Sequence, residues 1–132
     1  MSNFYQILNK NKKDIFLKTG KIPFVKYISA RNFNKKRKLK IPKKKWVNNP
    51  INLVLKNDVD IIVELIGGSD GAAKKLVFAA LKNNKHVITA NKSLMAKYGD
   101  QLAALAEKNN VNLEYEASVA GGVPIIRSMK EG

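Results

Sequence analysis

The spacing of apolar residues changes along this chain, and each change marks an expected element. Phe4, Ile7, Leu8 and Ile15 lie near one face at helical spacing, so the N-terminal stretch is expected to be helical. Ile22-Pro23-Phe24-Val25-Lys26-Tyr27-Ile28 is rich in β-branched and aromatic residues and predicts a strand over residues 22–30. Residues 35–45 have no core-forming pattern and read as a solvated loop. Trp46-Val47 fits a very short strand. Asn49 and Pro50 then open a short helix, with proline where a first turn tolerates it.

The pattern is cleaner from Asp58 onward. Asp58 to Leu65 is a strand of the buried type, and Gly67-Gly68-Ser69-Asp70-Gly71 is a turn. Ser69 or Asp70 is placed to cap the next helix. That helix carries Ala72, Ala73, Leu76, Val77, Ala80 and Leu81 on one stripe. Lys85 to Ala90 is the next strand. Residues 93–108 read as a helix burying Leu94, Leu102, Leu105 and Ala106, with Gly99 a weak point. Val111, Leu113 and Tyr115 alternate as a third strand. Residues 58–118 therefore read strand, helix, strand, helix, strand. Right-handed crossovers make that an α/β fold with a parallel sheet covered by helices.

Composition sharpens this picture. With 132 residues and 45% apolar content, the chain has room for one domain with a real core. There is no cysteine, which excludes a disulfide framework and thiolate metal sites. The longest apolar stretches are too short and too charged to span a bilayer, so a membrane is not an expected partner and the cytoplasm is the default. The net charge of +15 is unevenly placed: residues 1–57 hold 16 Lys and Arg against Asp14 alone, while the remainder is neutral. Eight of the eleven residues 35–45 are basic. Such asymmetry points to an anionic partner or to compositional drift in a chain rich in Lys and Asn.

Three segments place polar or small groups at the ends of expected strands, where open α/β sheets bind ligands. Thr89-Ala90-Asn91-Lys92 offers a hydroxyl, an amide and an ammonium in succession. Thr89 and Asn91 can orient a carboxamide or a ribose, and Lys92 can polarise a carbonyl or donate a proton. The plainer reading is a strand ending in a helix cap, Asn91. Glu64 is a charge inside an apolar strand and needs partners. Gly67 and Gly68 after it either let backbone approach a ligand or simply make a tight turn. In Glu116 to Pro124, carbonyls near Gly121 and Gly122 plus one carboxylate can form an oxygen cage for a hard cation, or a glycine turn before a helix. Arg31 follows the first expected strand. In dinucleotide folds an arginine there accommodates a 2′-phosphate, and no acid lies between Asp14 and Asp58. His86 reads as a surface or satisfied histidine.

Taken together, Glu64-Leu65-Ile66-Gly67-Gly68, His86-Val87-Ile88-Thr89-Ala90-Asn91-Lys92 and Glu116 to Ile126 closely resemble the nucleotide-binding domain of homoserine dehydrogenase. Residues 21–57 fit more loosely, through Ser29-Ala30-Arg31 and Trp46-Val47-Asn48-Asn49-Pro50. The resemblance implies a Rossmann-like, doubly wound parallel sheet. It implies NAD(P)H-dependent reduction of aspartate semialdehyde to homoserine, on the route to threonine, methionine and isoleucine. It would put Lys92 at the nicotinamide and the substrate carbonyl, Thr89 and Asn91 beside the cofactor, and Gly67 and Gly68 on the border of its cleft. Arg31 favours NADP(H) over NAD(H). Glu116, Val119, Gly121 and Val123 would match a monovalent-cation site, sodium in the family.

Two departures shape the expectation. The family begins with a strand and a Gly-x-Gly-x-x-Gly turn, and this chain starts at about the end of that turn. The family also continues past Ile126 into a substrate and dimerisation domain. Residues 1–132 are thus expected to be a partial NAD(P)-binding domain lacking its first strand, inactive alone, with a separately encoded remainder as a candidate partner. Without that strand, segments 22–30 and 58–65 either pair with each other or leave two ladders open. The alternative is a basic nucleic-acid-binding module using residues 35–45 and Trp46. No helix-turn-helix, zinc spacing or aromatic RNP signature supports it.

Overall fold

The computed structural model describes residues 2–32 and 40–115. Two helices come first, α1 (Ser2–Lys10) and α2 (Lys12–Thr19). The expected alternation then appears as β1 (Ile61–Glu64), α3 (Ala72–Lys82), β2 (His86–Thr89), α4 (Lys92–Lys108) and β3 (Leu113–Tyr115). The strands pair in the order β1-β2-β3, all parallel. The register sets Glu64 beside Thr89 and Val87 beside Leu113. Each helix carries the chain back across the sheet, which parallel pairing requires.

Both faces of the sheet are covered. On one, Ile62 and Val87 pack with Leu76, Val77, Ala80 and Leu81 of α3 and with Leu94, Leu102 and Ala106 of α4. Ala72, at the head of the expected stripe, is exposed. Full burial of a leucine such as Leu81 or Leu102 stabilises the fold by about 1.5–3 kcal/mol. On the other face, Ile61, Val63 and Ile88 pack against Leu8 and Ile15 from the N-terminal helices. Of the apolar stripe read over residues 4–15, Leu8 and Ile15 pack on the sheet, and they come from two separate helices. Gly20 closes α2 at φ +73, with its N–H on the Phe16 carbonyl.

The strand expected over residues 22–30 does not form. Its ladder contact is one parallel bridge, Ile28 to Trp46, with Ile28 N–H on the Lys45 carbonyl at 2.7 Å and Val47 N–H on the Ile28 carbonyl at 2.9 Å. Strand propensity is context-dependent, and a strand without a partnering ladder is not stable on propensity alone. The carbonyls of Asp60 and Glu64 accept from His86 and Ala90. Alternation therefore turns the backbone groups of Ile61 and Val63 to the outer edge of β1. Among the described residues no strand pairs there, so the ladders stay open, and open edges invite association.

The connection into β1 is fixed by polar contacts. The 3₁₀ helix Pro50–Leu55 begins as expected, with Asn49 accepting from the Ile51 N–H. Lys85 Nζ donates to the carbonyls of Lys56 and Val59, both at 2.7 Å. His86 is the satisfied histidine: its Nδ1 accepts from the Asn112 N–H at 3.0 Å. Burial, the largest cause, pushes its pKa down, which favours the neutral ring this bond needs.

Candidate functional site

The carboxyl ends of β1 and β2 are tied together by a closed hydrogen-bond network. Glu64 ends β1 fully buried. One carboxylate oxygen accepts from the backbone N–H groups of Ile66 and Gly67. The other accepts from the Thr89 hydroxyl at 2.7 Å. These partners answer the cost of a charge inside an apolar strand. Thr89, also fully buried, accepts in turn from the Asn91 N–H at 3.0 Å.

Asn91 closes the circuit. Its Oδ1 accepts from the Leu94 N–H at 3.0 Å, which caps α4, and its Nδ2 donates to the Gly68 carbonyl at 2.7 Å. The turn is thus held on one side by the carboxylate of β1 and on the other by the amide that starts α4. Gly67 and Gly68 sit at φ +85 and +82, a region L side chains rarely adopt. A Cβ at Gly67 would meet nothing within 4 Å. The glycine therefore serves the backbone conformation, and it also leaves open space above the turn. A pocket of about 120 Å³ lies here, lined by Glu64, Leu65, Gly67, Ala90 and Asn91.

A second tether holds the far end of the turn. Neither Ser69 nor Asp70 caps α3; Gly71 takes the cap position with no side-chain bond. Asp70 instead reaches α4, accepting from Lys97 Nζ at 2.8 Å, from the Tyr98 hydroxyl and from Ser69. Two strong donors on another helix outcompete a local cap. Lys97 first, and Tyr98 next, bring the Asp70 carboxyl down from 3.8 to about 2. A carboxyl depressed on folding stabilises the fold above its ordinary pKa, and that contribution fades as pH falls through about 2. The pair is exposed to solvent, so the contribution is small. An NMR titration should place the Asp70 carboxyl near about 2, and Lys97→Met should move it up towards 3.8. A wild-type midpoint already at the ordinary value would show that this tether does not form.

Lys92 is the first residue of α4 and is exposed. Neither of the two ion pairs among the described residues involves it. A cation at a helix N-terminus gains nothing from the helix dipole, so local stability does not account for it. Arg31 is exposed just beyond the Ile28–Trp46 bridge, and no hydrogen bond joins it to the network among the described residues. The structure thus brings Gly67, Gly68, Thr89, Asn91 and Lys92 together and leaves Arg31 on a separate segment. Glu116, Val119, Gly121 and Val123 lie outside the described residues. Among the described residues no cluster of three or more His, Cys, Asp or Glu could hold a metal ion, and no helix is long and apolar enough to cross a membrane.

Comparison with known proteins decides the family. The model of the homoserine dehydrogenase NAD binding domain matches residues 3–116. The chain belongs to that family. It is 41% identical over 126 residues to the homoserine dehydrogenase of Neisseria gonorrhoeae, covering 96% of this chain and 28% of that protein. It is 37% identical over 131 residues to the Bacillus subtilis enzyme, covering 99% of this chain and 30% of that one. The fold agrees: a crystal structure of S. aureus homoserine dehydrogenase superposes with a TM-score of 0.79 at 38% identity, over 89% of this chain and 30% of that one. One from Thiobacillus denitrificans gives 0.80 at 36% identity, over 88% and 26%. The chain therefore spans less than a third of each of these relatives.

The residues of this homoserine dehydrogenase-type domain fit a nicotinamide cofactor. The open approach over Gly67, at the carboxyl ends of parallel strands, lets backbone come close to a flat ligand. Sequence reasoning flagged Glu64 only as a charge in need of partners. Its braces, Thr89 and the turn amides, were hidden because their contact depends on strand register.

Proposed function

We propose that this chain supplies the cofactor-binding part of a homoserine dehydrogenase, acting on homoserine and aspartate semialdehyde in the cytoplasm. The observation that carries the reading is the braced turn: Gly67 and Gly68, open above and fixed below by Glu64, Thr89 and Asn91. Gly67 and Gly68 border the cofactor. Thr89 and Asn91 act from beneath, holding the turn and the start of α4. Lys92, exposed at the head of α4, would meet the nicotinamide and the substrate oxygen. A nicotinamide cofactor held there would supply hydride transfer to or from the substrate carbon, and Lys92 would stabilise the oxygen that gains or loses the proton. Glu116, Val119, Gly121 and Val123, which lie outside the described residues, would be the residues to hold a monovalent cation, sodium by resemblance to the family. A separately encoded remainder of the enzyme is the partner this reading calls for.

Arg31 with no acid between Asp14 and Asp58 favours NADP(H) over NAD(H). The 132 residues contain no Gly-x-Gly-x-x-Gly, the segment whose N–H groups cradle a pyrophosphate. A polypeptide of these residues alone is therefore expected to bind weakly, and NADPH more tightly than NADH. Calorimetric titration of both cofactors checks this. Submicromolar NADH binding, or a preference for NADH, would overturn it.

A further inference from the structure

We propose that the first half of the chain binds single-stranded nucleic acid, across the surface formed by the extended segment at Phe24–Tyr27 and the 3₁₀ turn Lys43–Lys45. This does not rest on the dehydrogenase reading. The charge of residues 1–57 is the starting point, since 16 cations face one acid there. Among the described residues, only one ion pair reaches into this half, Lys26 to Asp58 at 3.3 Å. Most of the positive field is therefore left for a partner.

The fold adds aromatic surface to that field. Lys45 Nζ donates to the Val25 carbonyl at 3.1 Å, and the bridge at Ile28 fixes the same two segments side by side. Lys43 and Lys44 remain exposed on the turn. On the extended segment Phe24 is 64% exposed, with Lys26 Nζ 6.0 Å from its ring centre. Lys56 Nζ stands 4.5 Å from the ring centre of Tyr27. Phe24 and Lys26, two residues apart on extended backbone, thus present a ring and a cation on the same side of the segment, while Tyr27, with Lys56 at its face, gives its hydroxyl to Asp58 at 2.7 Å. Single strands are held in that way, bases stacking on rings while phosphates meet cations.

Other polyanions fit less well. A duplex is read by a helix or ribbon entering a groove, and here the aromatic stands on an extended segment. A membrane would call on amphipathic helices, but Leu8 of α1 and Ile15 of α2 are turned onto the sheet. An acidic protein has no use for an exposed ring flanked by lysines beyond the charge itself.

The test is fluorescence anisotropy of the 132-residue polypeptide with a labelled oligo-dT of about twenty nucleotides, long enough for at least one binding site of about 4–16 nucleotides. Between 50 and 200 mM salt, log K should fall against log salt with a slope of roughly −2 to −4, as release of counterions from about three to five phosphates requires. Phe24→Ala should weaken binding about fivefold or more, the low end of the loss of one stacked base, and leave the slope unchanged. Phe24→Trp should restore it. Lys43→Gln with Lys44→Gln should make the slope shallower by about 1.4. Circular dichroism of each variant should match the parent, since these side chains are exposed. No binding at 50 mM salt would overturn the proposal. So would Phe24→Ala binding like the parent, poly-glutamate competing as well as oligo-dT, or tighter binding to a duplex of equal length or to vesicles containing phosphatidylserine.

Discussion

Glu64→Ala is expected to destabilise the domain by about 3 kcal/mol, a large share of the roughly 5–15 kcal/mol that holds a domain folded. The change removes a fully buried carboxylate that satisfies three donors: the N–H groups of Ile66 and Gly67 and the Thr89 hydroxyl. A hydrogen bond to a charged group contributes about 1.5–3 kcal/mol, and an orphaned buried donor costs about 1–3. The sum is less than three full bonds, because Leu65 and Ile66 are 39% and 44% exposed and water can reach the turn from that side. Glu64→Gln should cost only about 1 kcal/mol. Its amide oxygen still accepts from the turn, while its NH₂ meets a Thr89 oxygen that already accepts from Asn91. Urea unfolding of the two variants, compared at equal m-values, checks the ranking. Alanine and glutamine variants of equal stability would mean that the carboxylate does not organise the turn.

The same residues explain what could be read in advance. The βαβαβ order from residue 58 was legible because each element there has a clean period, and the core residues Leu76, Val77, Leu94 and Leu102 fall on those stripes. Asn91 was legible as a cap because capping is local, one side chain and an amide three residues on. The bond from Thr89 to Glu64 was not. It joins residues 25 apart that become neighbours only through the register of β1 and β2. Asp70 misled for a similar reason: its local chemistry suits a cap, but Lys97 and Tyr98 reach it from another helix. Segment 22–30 shows the reverse failure. Its residues favour a strand, yet strands are made by paired neighbours, and among the described residues its one ladder partner is Trp46, in a single bridge to Ile28.

Replacing Lys92 by alanine is expected to lower homoserine oxidation by about 10²–10⁴-fold, the range for a positioned proton-transfer group. The measurement needs a complete active site. Hydride transfer requires both reactants aligned at close range, and such positioning accounts for about 7–11 kcal/mol of a barrier. A polypeptide of these 132 residues alone is therefore expected to show no turnover. A chimera carrying residues 3–116 in place of the matching segment of the Bacillus subtilis relative supplies the other parts, and its NADP⁺ reduction with homoserine is the reference rate. In that setting Lys92→Ala should lower kcat and leave cofactor affinity nearly unchanged. The turn proposed to border the cofactor is braced by Glu64, Thr89 and Asn91 and owes nothing to the lysine side chain. Lys92→Arg should not rescue the rate, because a guanidinium is a larger, planar donor that does not release its proton. Turnover of Lys92→Ala within tenfold of the reference, or a loss confined to cofactor affinity, would assign Lys92 a binding role and leave the proton to another group.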